Sequence, residues 1–81
     1  MNENFNTDNN PNYNPLEELC NAIVLQAVKD YREAKIKLSY YGRDYEAKRM
    51  LDECLRFFRS GWFGLLTDLD PEFLIERLDK E

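Results

Sequence analysis

The stretch Arg56-Phe57-Phe58-Arg59-Ser60-Gly61-Trp62-Phe63-Gly64-Leu65-Leu66-Thr67-Asp68-Leu69-Asp70 gathers three of the chain's five Phe, its only Trp and two of its three Gly. Two helix start signals lie inside it. Ser60 can cap a short helix from Gly61 to about Leu66. Asp70-Pro71 places a capping carboxylate directly before a proline at the first helical position, so a last helix of about 71–79 follows. The stretch therefore reads as a corner between helices, and its aromatic side chains as core, with Trp62 buried.

Upstream of the corner, Asp44 caps a second helix of about 44–59. It carries Ala47, Met50, Leu51, Cys54, Phe57 and Phe58 on one face. Before it, Asn14-Pro15 with Glu17 three positions after the cap marks a strong helix start. From there Leu16, Cys20, Ile23, Ala27, Tyr31, Ala34, Leu38 and Tyr41 recur at steps of three and four until Gly42. This first helix, about 15–41, is a rod of roughly 40 Å at 1.5 Å per residue.

The short break at residues 42–43 folds helix two back along the C-terminal half of the rod. The apolar positions from Leu16 to Val28 then need another cover. Trp62, Phe63, Leu65, Leu66, Leu69, Phe73, Leu74 and Leu78 are assigned to it. The fold class is all-α, a small three- to four-helix assembly with a long first helix.

A chain of 81 residues allows one domain, burying only about 60% of its unfolded surface, so its core must be dense in large side chains. Residues 14–81 are read as that single helical domain. Residues 1–13, six of them Asn, lack apolar periodicity and read as a disordered tail. No long apolar run and no basic-then-apolar leader stands in the sequence, which gives an expectation of a cytoplasmic protein without a membrane span.

The composition argues against most catalytic chemistry. There is no His, so Ser-His and Cys-His nucleophile pairs and imidazole metal sites are excluded. Cys20 and Cys54 read as free thiols inside helices. With the helices antiparallel they sit roughly 16 Å apart along the rod, beyond disulfide reach. Asp68-x-Asp70-x-Glu72 offers alternating oxygens to a hard cation, but the remaining ligands and the central Gly of a calcium loop are missing. Asp70 is already accounted for as a cap. No phosphate loop is present, because the Gly61–Gly64 neighbourhood lacks the following Lys-Ser or Lys-Thr. The expectation is a protein that is not an enzyme and holds neither metal nor cofactor.

Charge is distributed unevenly. The total is −5, and residues 29–59 carry nine Lys and Arg against six Asp and Glu, so a basic middle lies between acidic ends. Asp68, Asp70, Glu72, Glu76 and Asp79 make the last segment the candidate partner-binding face for a basic protein surface. The alternative is a basic face of helix two, with Lys48, Arg49, Arg56 and Arg59 near Tyr40, Tyr41 and Tyr45, directed at nucleic acid. In a helix-turn-helix reading the recognition helix would be Gly61 to Leu66. It holds no Arg, Lys, Asn or Gln to read a base edge, so nucleic acid is the less favoured partner. Glu33 with Lys37 is the expected type of surface pair. The long helix, with Tyr on its outer faces, leaves a homodimer open.

Residues 19–80 resemble a group of small uncharacterised helical proteins from phages, prophages and mobile elements of Firmicutes. The resemblance rests above all on Asn21-Ala22-Ile23-Val24-Leu25-Gln26-Ala27-Val28-Lys29-Asp30-Tyr31-Arg32, on Phe57-Phe58-Arg59-Ser60-Gly61-Trp62-Phe63 and on Leu66-Thr67-Asp68-Leu69-Asp70. Where that group tends to have Asp-Gly-Glu before the last helix, this chain has Asp70-Pro71-Glu72, which suits a cap. The resemblance implies a phage or mobile-element accessory protein that binds a host protein, for instance as an inhibitor of a host defence or nuclease complex. It implies no catalytic residue.

Overall fold

The computed structural model describes residues 14–81, and among them the secondary structure is helix alone. The elements are α1 (Pro15–Tyr40), α2 (Tyr45–Phe58), α3 (Gly61–Leu66) and α4 (Pro71–Asp79). The expected tail, residues 1–13, lies outside the described residues. Among the described residues no helix is long and apolar enough to cross a membrane.

Each helix starts where a polar side chain can accept from the free amides of its first turn. Asn14 Oδ1 accepts from Leu16 N and Glu17 N at 3.0 and 3.2 Å. Asp44 Oδ1 accepts from Ala47 N at 3.0 Å and Ser60 Oγ from Phe63 N at 3.2 Å. Asp70 Oδ1 accepts from Glu72 N at 3.0 Å, with Phe73 N at 3.5 Å. Thus all four caps read from the sequence form.

α1 and α2 pack as an antiparallel pair, and the core lies where α3 and α4 close over them. Val24, Val28 and Tyr31 of α1, Cys54 and Phe58 of α2, Phe63 of α3, and Ile75 and Leu78 of α4 form one buried cluster. Phe58, with no exposed surface, is its centre. Its ring lies 5.7 Å from Phe63, 5.9 Å from Phe57 and 6.0 Å from Tyr31, centroid to centroid. Phe57 and Phe63 meet edge to face at 5.6 Å. Such tilted contacts set the positive ring edge against the negative face.

The cover of the rod differs from the sequence reading in one respect. α4 does not lie over the N-terminal half of α1. Its first turn is held to the end of α2, where Arg59 Nε and the second guanidinium nitrogen donate to Glu72 at 2.8 and 3.2 Å. Its other end reaches the middle of α1. There Arg32 makes two 2.7 Å hydrogen bonds to Glu81, and Lys35 Nζ donates to the Leu78 carbonyl at 2.7 Å. That carbonyl belongs to the last turn of α4, and the Glu81 amide just past the helix also donates to it, at 3.4 Å. The polar ties thus carry α4 toward residues 31–35, and only α3 is left to serve the first turns of α1.

Trp62 is correspondingly not buried: 56% of its surface is exposed. A helix of six residues has fewer than two turns, and one face of it can point inward. Phe63 is buried and Leu66 half-buried there, while Trp62 and Leu65, three apart on the adjoining face, stay exposed. Leu69 and Phe73, also assigned to the cover, are exposed, and so is Met50 on α2. The Glu33–Lys37 pair does not form among the described residues; both side chains line a cleft between α1 and α2 with Asp30, Glu46 and Arg49.

Candidate binding surface

Because α4 leaves the start of α1 uncovered, large apolar side chains remain at the surface there. Leu16 is 68% exposed, Leu65 78% and Leu69 51%, and Leu19 is exposed beside them in sequence. Single exposed leucines are ordinary, whereas contiguous ones mark a surface that meets something. Here Leu16, Leu65 and Leu69 line one groove of about 590 Å³, floored by the half-buried Cys20 and Leu66. Trp62, three residues before Leu65 on α3, does not line the groove and is exposed beside it in sequence.

The groove's rim is acidic. Glu17 stands on the α1 wall and Asp68 on the opposite wall, and no Lys or Arg lines the groove. Neither carboxylate has an ion pair or a side-chain hydrogen bond among the described residues. These two negative charges are therefore free to meet a ligand.

The other members of the acidic candidate face stand differently. Asp70 caps α4, Glu72 pairs with Arg59, Glu76 lies 3.6 Å from Lys80, and Asp79 accepts from the Tyr31 hydroxyl at 2.5 Å. All remain exposed, but four of the five already have an intramolecular role, leaving Asp68 unengaged. The Arg59 guanidinium, bonded to Glu72, holds that carboxyl below the usual carboxylate range. Arg32 does the same for Glu81.

The basic candidate face is likewise divided. Arg56 is tied to Asp52 at 3.0 Å one turn earlier, and Arg59 to Glu72. Among the described residues Lys48 and Arg49 are the cations of α2 without an ion pair, with the exposed Tyr45 nearby in sequence.

Nucleophile chemistry finds little support in the thiols. Both are free. Cys54 is buried and its Sγ donates to the Ala27 carbonyl at 3.6 Å. Burial, with lesser contributions from Asp30 and Glu53, pushes the thiol pKa up, away from the reactive thiolate. The alternating Asp68, Asp70 and Glu72 do not gather around a common point: one is free, one caps and one is paired. Among the described residues no group of three or more His, Cys, Asp or Glu side chains is arranged to hold a metal ion.

The sequence reading places Leu65, Leu66 and Leu69 in the cover of the rod and so does not point to the groove. A six-residue helix does not bury Trp62, Phe63, Leu65 and Leu66 together, because their side chains spread over about 160° of its circumference. The chain matches no protein-family model, and comparison with curated proteins and with solved structures finds no similar protein.

Proposed function

We propose that this chain is a non-enzymatic protein-binding module that works in the cytoplasm as an accessory protein of a phage or mobile element. One observation carries the reading. In a chain with little core to spare, Leu16, Leu65 and Leu69 stay exposed along one groove that Glu17 and Asp68 also line, and Trp62 is exposed three residues before Leu65. The resemblance of residues 19–80 to small phage and prophage proteins supports the setting. In that setting the partner is a host protein, and inhibition of a host defence or nuclease complex is the role that fits a small acidic binder.

The test is affinity capture from a host lysate with the full chain, with Leu65→Asp, and with Lys48→Glu/Arg49→Glu. Loss of one captured protein with Leu65→Asp alone supports the reading. Retention of that protein by Leu65→Asp contradicts it.

A second reading keeps Lys48 and Arg49 as a nucleic-acid contact, because these two cations of the basic face have no ion pair among the described residues. It requires gel shifts on DNA or RNA in moderate salt that Lys48→Ala and Arg49→Ala abolish.

A further inference from the structure

The groove at the start of α1 runs between α1 and the segment that links α3 to α4. Leu16 and Cys20 stand four residues apart on the helical wall, and Leu65 and Leu69 line the other, Leu69 lying beyond the extended Thr67 that ends α3. Exposed leucines on both walls suit the apolar face of a partner segment laid between them. The charge around it is of one sign: Glu17 and Asp68 are unpaired, and no cation lines the groove.

We infer that the groove takes a basic amphipathic segment of the partner protein, its Leu-type side chains seated between Leu16, Leu65 and Leu69 and its Lys or Arg meeting Glu17 and Asp68. This inference rests on the protein-binding reading and names the partner's chemistry.

A second copy of the chain fits less well. A two-fold pair places the same patch against itself. The carboxylates Glu17 and Asp68 of both copies would then share one interface, and juxtaposed like charges oppose association. No Lys or Arg lines the groove to offset them.

The experiment uses the full chain and two synthetic peptides of roughly four helical turns. One is built of Leu and Lys in amphipathic order. The other has Glu in place of every Lys. Binding is read by calorimetry and by amide chemical-shift mapping on the unsubstituted protein. The Lys peptide binds at least about tenfold more tightly than the Glu peptide, and this preference shrinks as salt rises. Shifts concentrate at residues 16–21 and 62–69. Leu65→Asp weakens the Lys peptide at least about tenfold, as loss of a central anchor does, and Asp68→Lys narrows the gap between the peptides.

Equal affinity for both peptides, absence of binding by either, or shifts centred on α2 overturns the inference. So does sedimentation showing that the free chain is a dimer which Leu65→Asp dissociates, since the occupant is then a second copy. The two readings fail separately. If Leu65→Asp loses its captured host protein while the Lys peptide does not bind, the partner chemistry is wrong and the binding function stands.

Discussion

The Tyr31 hydroxyl of α1 donates to Asp79 Oδ1 at the end of α4, 48 residues later and at 2.5 Å. Tyr31 is buried at the same time against Phe58. One side chain thus joins the aromatic centre to the polar tie that positions α4. Burial, reinforced by the hydrogen bond and the charge of Asp79, raises its phenol pKa well above the ordinary value.

A raised acid pKa sets the sign of a pH effect. The folded state holds the phenol proton more tightly than the unfolded one. The stabilisation is complete below the ordinary tyrosine value of about 10 and is lost as the pH rises above it. Tyr31→Phe removes a hydrogen bond to a charged acceptor, so a loss of about 1.5 to 3 kcal/mol at pH 7 follows. Urea unfolding of both proteins at neutral and alkaline pH checks this, and the variant shows the shallower fall in alkali.

Phe58 and Phe63 carry the junction of the four helices. Phe58→Ala or Phe63→Ala costs about 3 to 5 kcal/mol, a large share of the roughly 5 to 15 kcal/mol available to a small domain. Far-ultraviolet circular dichroism on heating is expected to show either variant largely unfolded well below the melting temperature of the parent. Leu65→Asp, on the exposed face, leaves that temperature nearly unchanged.

The exposed ties act in acid. Arg59 and Arg32 depress the carboxyl pKa values of Glu72 and Glu81. Their stabilisation is therefore present above the ordinary carboxylate range and lost as pH falls through the depressed values. Between about pH 5 and pH 3 the urea midpoint of the parent falls, and Arg59→Ala makes that fall shallower. Both pairs face solvent, so added salt reduces the difference.

The thiols differ in reactivity. Cys20, half-buried in the groove, reacts with a thiol reagent in the folded protein ahead of Cys54, whose burial and raised pKa protect it. In denaturant the two rates converge. No disulfide forms between them in the folded monomer.

Much of the fold was legible in the sequence because its start signals are local. Asn14, Asp44, Ser60 and Asp70 each cap the helix that follows, and Pro15 and Pro71 fix two of the starts. The course of α4 was not legible, because it depends on pairs far apart in sequence: Tyr31 with Asp79, Arg32 with Glu81, and Arg59 with Glu72. The same pairs occupy most of the acidic face that charge alone had suggested as a binding site. Hydrophobicity of Trp62, Leu65 and Leu69 indicated burial, but the shortness of α3 decides that two of these residues share its outer face.

On the proposed function, the exposed residues from Trp62 to Leu69 are open in the free protein and covered by the partner. Quenching of Trp62 fluorescence by acrylamide reads both states from the chain's only tryptophan. Ready quenching in the free chain, with emission near that of a solvated indole, and clear protection once the captured partner is bound are the expected results. Trp62 already shielded in the free monomer, or equally accessible with the partner bound, overturns the proposal.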